Sequence, residues 1–447
     1  MRSYYARSVA AVLGLAALTG VGRAQDAGVP SLLPLPPVAP AAQYPVAQTA
    51  ARSTGTSSWY NDPTQPVAPG GEEPSPSDQS IISPEYQSAM KGGYDSCGGA
   101  VPCETCCNCK YIYANGLIMG RASVPNVPTS IDTDPSTVLN TSDVQGKWGG
   151  GFEIGMGYCF NGGANALEVV YWGLFPGTQH ANFYGADALG ALDPSPSLEF
   201  QNLDYGDSFQ TGTAFIFYED AELHHIESSY TVNSVEVNLL GTGGCGGPFG
   251  CGAAGCGPAS CGCSPWGFGW IGGFRYFNFN ENFMFCTDDV DTVIDGSAGE
   301  LHYDVKTTNN LFGFQLGGGI NRCMGERFSL YGVGKVGIYG NDSSMRQSVY
   351  GPSGYATHNG LPGVGDYNIS ENKVTLATVG QIDLGMRYQM NSCWSFQMGY
   401  RVVGVTGVAL TANNFAADFS DVPTIRDYDT SGSVLLHGGY AGATFAW

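Results

Sequence analysis

Ten of the fourteen cysteines fall into two clusters that open alike. Cys97-Gly-Gly-Ala-Val-Pro-Cys103 is echoed by Cys245-Gly-Gly-Pro-Phe-Gly-Cys251, the one internal repeat in the chain. Cys106, Cys107 and Cys109 follow the first; Cys256, Cys261 and Cys263 follow the second. Thiols at this density support three chemistries. Disulfides between the clusters would restrict the unfolded chain. Disulfides to a neighbouring chain or to the cell wall would cross-link the protein. A tetrathiolate zinc site needs two Cys-x-x-Cys pairs, and Cys103 to Cys106 supplies only one. An exported chain meets an oxidising compartment, which favours disulfides, so no metal is assigned.

Other reactive groups are sparse. His224 and His225 stand near Glu222 and Glu227, and an acid–histidine pair can activate water. No nucleophile elbow, zincin motif or P-loop accompanies them, and an exposed loop is their ordinary setting, so no enzyme is expected. Asp289, Asp291 and Asp295 miss the calcium-loop template, which also needs a third-position ligand and a Glu in register. Divalent cations bridging acidic loops to lipopolysaccharide phosphates stay open as an alternative to a solvated acidic surface. Otherwise no cofactor is expected. Glu153, Arg275, Lys335, Asp383, Arg387 and Arg401 share one parity with Gln315, Gln381 and Gln397. Such a set lines a constriction that selects solutes by charge, or pairs off and plugs a narrow lumen.

That parity belongs to strands. Ile382, Leu384, Met386, Tyr388 and Met390 alternate with Gln381, Asp383, Gly385, Arg387 and Gln389. Trp394, Phe396, Met398 and Tyr400 repeat the pattern, as do Phe152, Ile154, Met156 and Tyr158. The apolar face is large and aromatic while the polar face is mostly Gly, Gln and Ser. A soluble sandwich has the reverse economy, with Lys, Glu or Thr facing water. The pattern predicts an all-β, antiparallel transmembrane β-barrel with lipid outside and a small polar lumen. Trp148, Tyr158, Trp172, Tyr276, Tyr388, Trp394 and Tyr400 are candidates for interfacial girdles.

Segments 111–121, 147–160, 166–175, 230–240, 266–280, 310–322, 326–340, 374–390, 393–410 and 433–447 give ten strands. Stretch 176–229 is long enough to hide a further hairpin, which would make twelve. Short turns then alternate with long external loops. The loops hold 26 of the 39 acids and only four basic residues. All cysteines except Cys286 fall on the turn side, taken as periplasmic.

The N-terminus reads as an address. Arg2 and Arg7 precede an apolar run from Val9 to Leu18, and Gly22-Arg23-Ala24 offers a cleavage site, so 1–24 is expected to be a Sec-type signal peptide. Residues 25–94 are Pro-, Ala- and Ser-rich and are expected to be a disordered periplasmic tether. The Cys cluster 95–110 follows, then the barrel 111–447, interrupted by the Gly/Cys-rich connection 241–265. A net charge of −21 without a basic stripe excludes nucleic acid as a partner. At 13% charged and 12% aromatic residues, the chain is no disordered acidic polymer. The terminal Phe445-Ala-Trp447 has the form that barrel-assembly machinery reads in a last strand, and outer-membrane lipid is the expected surrounding.

Val235-Glu-Val-Asn-Leu239, Gly272-Gly-Phe-Arg-Tyr276, Asn310-Leu-Phe-Gly-Phe-Gln-Leu-Gly317, Gly334-Lys-Val-Gly-Ile-Tyr339 and Gly399-Tyr-Arg-Val-Val-Gly-Val-Thr-Gly-Val-Ala-Leu410 occur in that order. Together they resemble the planctomycete β-barrel outer-membrane (porin-like) family over roughly 111–447. The resemblance implies an outer-membrane barrel, a passive small-solute pore or a structural envelope component, with no catalytic set to transfer. The cysteine clusters and the tether depart from it. The contrasting expectation is a secreted, disulfide-linked surface protein built on a soluble β-sandwich.

Overall fold

The computed structural model describes residues 110–447, apart from 123–124, 133–136, 145–147, 162–163, 186–191, 243–265, 325–326, 360–364 and the positions 392 and 417. The expected signal peptide, the tether and both cysteine clusters lie outside the described residues.

Ten strands run up and down in chain order: β1 (Lys110–Arg121), β2 (Gly149–Phe160), β3 (Asn165–Leu174), β4 (Leu223–Thr242), β5 (Trp266–Asp288), β6 (Glu300–Cys323), β7 (Phe328–Gly351), β8 (Asn368–Gln389), β9 (Trp394–Val408) and β10 (Gly432–Ala446). Each pairs antiparallel with the next. β1 also pairs with β10, from Tyr111 opposite Ala446 to Arg121 opposite Leu436, so the sheet closes on itself. Closure gives every strand two neighbours and leaves no row of unpaired N–H and C=O groups to face hydrocarbon.

Among its described residues, stretch 176–229 holds no further barrel hairpin. Gln179–Tyr184 pairs with Leu223–Ser228 and continues the line of β3 along β4. The other short strand of the 12-stranded sheet, Gly354–Tyr355, is a rim addition to β7. Among the described residues the barrel itself has ten.

Side chains sort by parity as lipid requires. Phe314 is 76% exposed, Leu316 71% and Ile338 64%, while their strand neighbours Gln315 and Tyr339 are buried. Met156, Leu384 and Met398 likewise stand outside, with Glu153, Asp383 and Gln397 inside. A soluble sandwich would bury the first group and expose the second, so this arrangement overturns the sandwich reading. The inward glycines make room for rings. A Cβ on Gly155 would lie 2.2 Å from the Tyr113 ring, and one on Gly385 would lie 2.6 Å from the Tyr331 ring. Each tyrosine therefore lies across the bare backbone of the adjacent strand.

Two expectations need correction. β4 to β8 are 20 to 24 residues long, well beyond the segments that apolar alternation marked. Past the lipid-facing band their outward positions turn polar (Asn280, Asn282, Lys306, Arg346), so the apolar signal stops while the hydrogen-bond ladder continues. Much of the expected loops 281–309 and 341–373 is strand. Trp172 is also no girdle residue: it has no exposed surface and points inward. Trp148, Trp394, Tyr158 and Tyr400 are exposed, and Tyr276 and Tyr388 are partly buried.

Phe314→Arg would set a guanidinium in the lipid-facing band, at a cost of about 2–4 kcal/mol if it lies near the bilayer midplane. Urea titration of the barrel folding into lipid vesicles measures the loss. A neutral effect would mean that the exposed face is not lipid-bathed.

Candidate functional site

The site that the sequence singled out is the barrel interior, and strand parity delivers most of its members there. Arg401 on β9 bonds Glu153 on β2 and Asp383 on β8, both at 2.5 Å. Gln381 donates to Asp383 at 2.7 Å and accepts from Arg275 of β5 at 3.0 Å. Arg275 stands 3.6 Å from Glu236 on β4, which also takes Lys335 of β7 at 2.7 Å and Gln315 of β6 at 2.8 Å. Gln397 reaches Asn115 of β1 at 2.9 Å, and Asn115 donates to Glu153 at 2.7 Å. The indole of Trp172 on β3 has Arg275 and Arg401 each 5.6 Å from a ring centroid. Tyr440 on β10 lies 5.3 Å from Arg401. Side chains of all ten strands thus meet in one layer that crosses the lumen. Arg387, partly buried over Tyr331, joins the edge of the layer by donating to Gln397 at 3.5 Å.

Buried charge of this kind persists because each ion is paired and hydrogen-bonded. Sequence reasoning missed Glu236, Asn238, Asn115 and Trp172. The alternation in Val235-Glu-Val-Asn-Leu239 carries the signal for the first two, whereas Trp172 was read by its size and not by its parity.

Apolar side chains fill the lumen beyond this layer. Leu117, Leu174, Val232, Phe277, Phe279, Leu311, Val403 and Leu436 form a buried cluster inside the barrel. Gly407, at φ +82°, turns the chain after β9 inward, and Ala409 bonds Asn309 both ways at 2.8 Å. Arg121 pairs with buried Glu281 at the same end. Above them the long connections fold into the mouth. Phe200 stacks on Tyr218 at 4.1 Å and on Phe419 at 5.0 Å, and Tyr303 and Tyr367 pack edge-on against Phe419.

The two adjacent histidines do not share a site. His224 points inward, fully buried, with Nε2 3.1 Å from the Tyr218 carbonyl and Nδ1 2.5 Å from the Ser130 hydroxyl. The Tyr218 carbonyl can only accept, so Nε2 donates and Nδ1 accepts from Ser130. His225 points outward, 2.5 Å from Asn182 and 3.9 Å from Glu227. Among the described residues, Asp289, Asp291 and Asp295 belong to no cluster that could hold a cation. Asp288 and Asp291 cap their own turns, and Asp289 accepts from Gln210. Burial pushes the Asp289 carboxyl up to about 6.

Residues 130–425 match the model of the family described as Putative beta barrel porin-7 (BBP7). Among solved structures, the outer membrane protease OmpT of Escherichia coli shares 12% identity over 76% of this chain and 96% of its own, at a TM-score of 0.33. A major outer membrane protein of Thermus thermophilus shares 9% over 76% and 99%, at 0.29. The translocator domain of the autotransporter NalP of Neisseria meningitidis shares 10% over 81% and 93%, also at 0.29. No curated protein matches the sequence.

Arg401→Met would leave Glu153 and Asp383 buried without their cation, lowering stability by about 3–5 kcal/mol. Adding Glu153→Gln and Asp383→Asn should recover part of that loss in the same urea titration. Full additivity of the three changes would deny the coupling. A second expectation concerns pH. Burial pushes the His224 imidazole down to about 3, whereas an unfolded histidine takes its proton near 6.5. The unfolded chain therefore binds more protons between those values, and stability falls as the pH drops through that window. His224→Asn, which can donate and accept alike, should flatten the pH dependence of hydrogen exchange in the mouth-filling segments. An unchanged profile would remove His224 as its source.

Proposed function

Since the chain belongs to the porin-7 β-barrel family, we propose that it is an outer-membrane barrel with a structural role in the envelope, its lumen occluded. The observation that carries this reading is the Arg275–Trp172–Arg401 layer. Arg275 is 1% exposed and Arg401 6%, with carboxylates from three other strands bonded to them. An aqueous channel would hydrate those ions instead. Strand number is consistent, since eight-stranded barrels are filled by side chains and water channels belong to barrels of about 16. The family description also names a porin, which keeps passive permeation as the second reading. No catalytic role is proposed.

In this reading the turn end faces the periplasm and the acid-rich loop end faces outward, after export through a Sec-type signal peptide. Phe445 and Trp447, stacked at 5.6 Å beside Trp394, would be the elements that assembly machinery reads. The cysteine clusters would tie the tether, the cell wall or neighbouring chains to the turn end. Cys159 and Cys323 stand at the same end, which adds them to the cysteines within reach of such cross-links.

Planar-bilayer recording tests the occlusion. Folded wild type should be electrically silent, and Arg275→Ala/Arg401→Ala/Phe277→Ala should raise conductance if it folds. Steady ohmic conductance from folded wild type would replace this reading with the pore.

A further inference from the structure

We propose that Cys286, His302 and Glu300 form a binding site for a divalent transition metal, zinc foremost, on the outward-facing wall of the loop end. Cys286 and His302 are direct cross-strand partners on β5 and β6, and Glu300 lies two residues before His302. Counted from the lipid-facing pair Tyr276 and Phe312, they stand ten residues further along the ladder. At about 3.3 Å per residue that is roughly 33 Å of strand. The site is therefore clear of the hydrocarbon.

The geometry is that of ligands around one ion. The His302 Nε2 atom lies 3.7 Å from the Cys286 Sγ and 3.2 Å from a Glu300 oxygen. One ligand atom from each residue falls within 4.8 Å of the other two. Zinc bonds of about 2.3 Å to sulfur and 2.0–2.2 Å to nitrogen and oxygen place tetrahedral ligands about 3.3–3.6 Å apart. A nucleophile relay is the competing reading of Cys, His and Glu. It requires the thiol and the acid on opposite ring nitrogens. Here both crowd Nε2, and the buried Nδ1 has no partner.

Charge makes an independent case. Asp288 and Glu300 face each other across the strands with no exposed surface, and among the described residues neither has Lys or Arg at ion-pair distance. An Asp288 oxygen is also buried without a hydrogen-bond partner. Buried carboxylates persist when paired or bound to metal, and His302 alone is a weak counter-ion. The supporting shell is already set. The other Glu300 oxygen takes the backbone N–H groups of Asp295, Gly296 and Ser297 at 2.6, 2.8 and 3.2 Å, which aims its partner oxygen at His302. Tyr350 stacks on the imidazole at 5.2 Å and 11° and fixes the ring plane. Burial and the neighbouring acids push the Cys286 thiol up, so a cation must displace its proton on binding. His225, opposite Cys286 on β4, is the register neighbour of the fourth position.

The full chain in detergent, stripped with chelator and titrated with Co²⁺, tests the site. Wild type should take up one equivalent that shows thiolate-to-cobalt charge transfer and is displaced by Zn²⁺. Cys286→Ser should abolish the charge transfer, and His302→Gln should weaken binding at least tenfold, both with heat-modifiable migration retained. Zinc-edge X-ray absorption of wild type, which needs no variant, should report one sulfur among nitrogen and oxygen ligands. A sulfur-only shell would assign the metal to the cysteine clusters and overturn the proposal. So would charge transfer that survives Cys286→Ser, or the absence of binding by folded wild type.

Discussion

The pairing of β1 with β10 is the constraint on which everything else rests. Eleven consecutive register partners join the first strand to the last, and they convert a meander with two raw edges into a closed wall. Without that seam the backbone polar groups of two strands would face hydrocarbon, where each unsatisfied group costs several kcal/mol. With it, the fold has only one inside and one outside. The period-two alternation of every strand is then resolved the same way around the circumference: bulk to the lipid, small or polar groups to the centre.

A ring of ten strands encloses more volume than glycine can fill, and the chain supplies the difference in layers. Tyrosines laid over bare backbone narrow the lumen near the turn end. The six-ion layer around Trp172 crosses it, and an apolar cluster and the infolded connections complete the filling. The polar layer is the demanding one. Its three acids and three bases on six strands come within pairing distance of one another only when the register of all six is correct. Specificity of register is a well-attested use of buried ions, and here it would discriminate against slipped strands.

Strand number, order and facing were legible from the alternation, because a lipid-facing wall writes its signal in large side chains. Glu153, Lys335, Asp383 and Arg401 could be assigned to the lumen by counting from Phe152, Val336, Ile382 and Tyr400. Their pairing partners could not, since contacts across a lumen depend on which strands stand opposite after closure. Strand length above the membrane was equally hidden: Asn280 or Lys306 on an outward position looks like loop. The Cys286, Glu300 and His302 constellation escaped for that reason, because all three fell in what read as an acidic loop.

The five tall strands β4–β8 are neighbours, and so are the five short ones, β9, β10 and β1–β3. The rim is therefore bevelled. The three longest connections at this rim, 122–148, 175–222 and 409–431, each have at least one root on the low side, and they lean against the inner face of the tall side through Phe283, Phe285, Tyr303 and Val349. A bevel of this kind gives the outer end a front and a back. The tall wall stands to one flank, while the folded connections show themselves to the other, so anything that approaches the loop end meets two unlike surfaces.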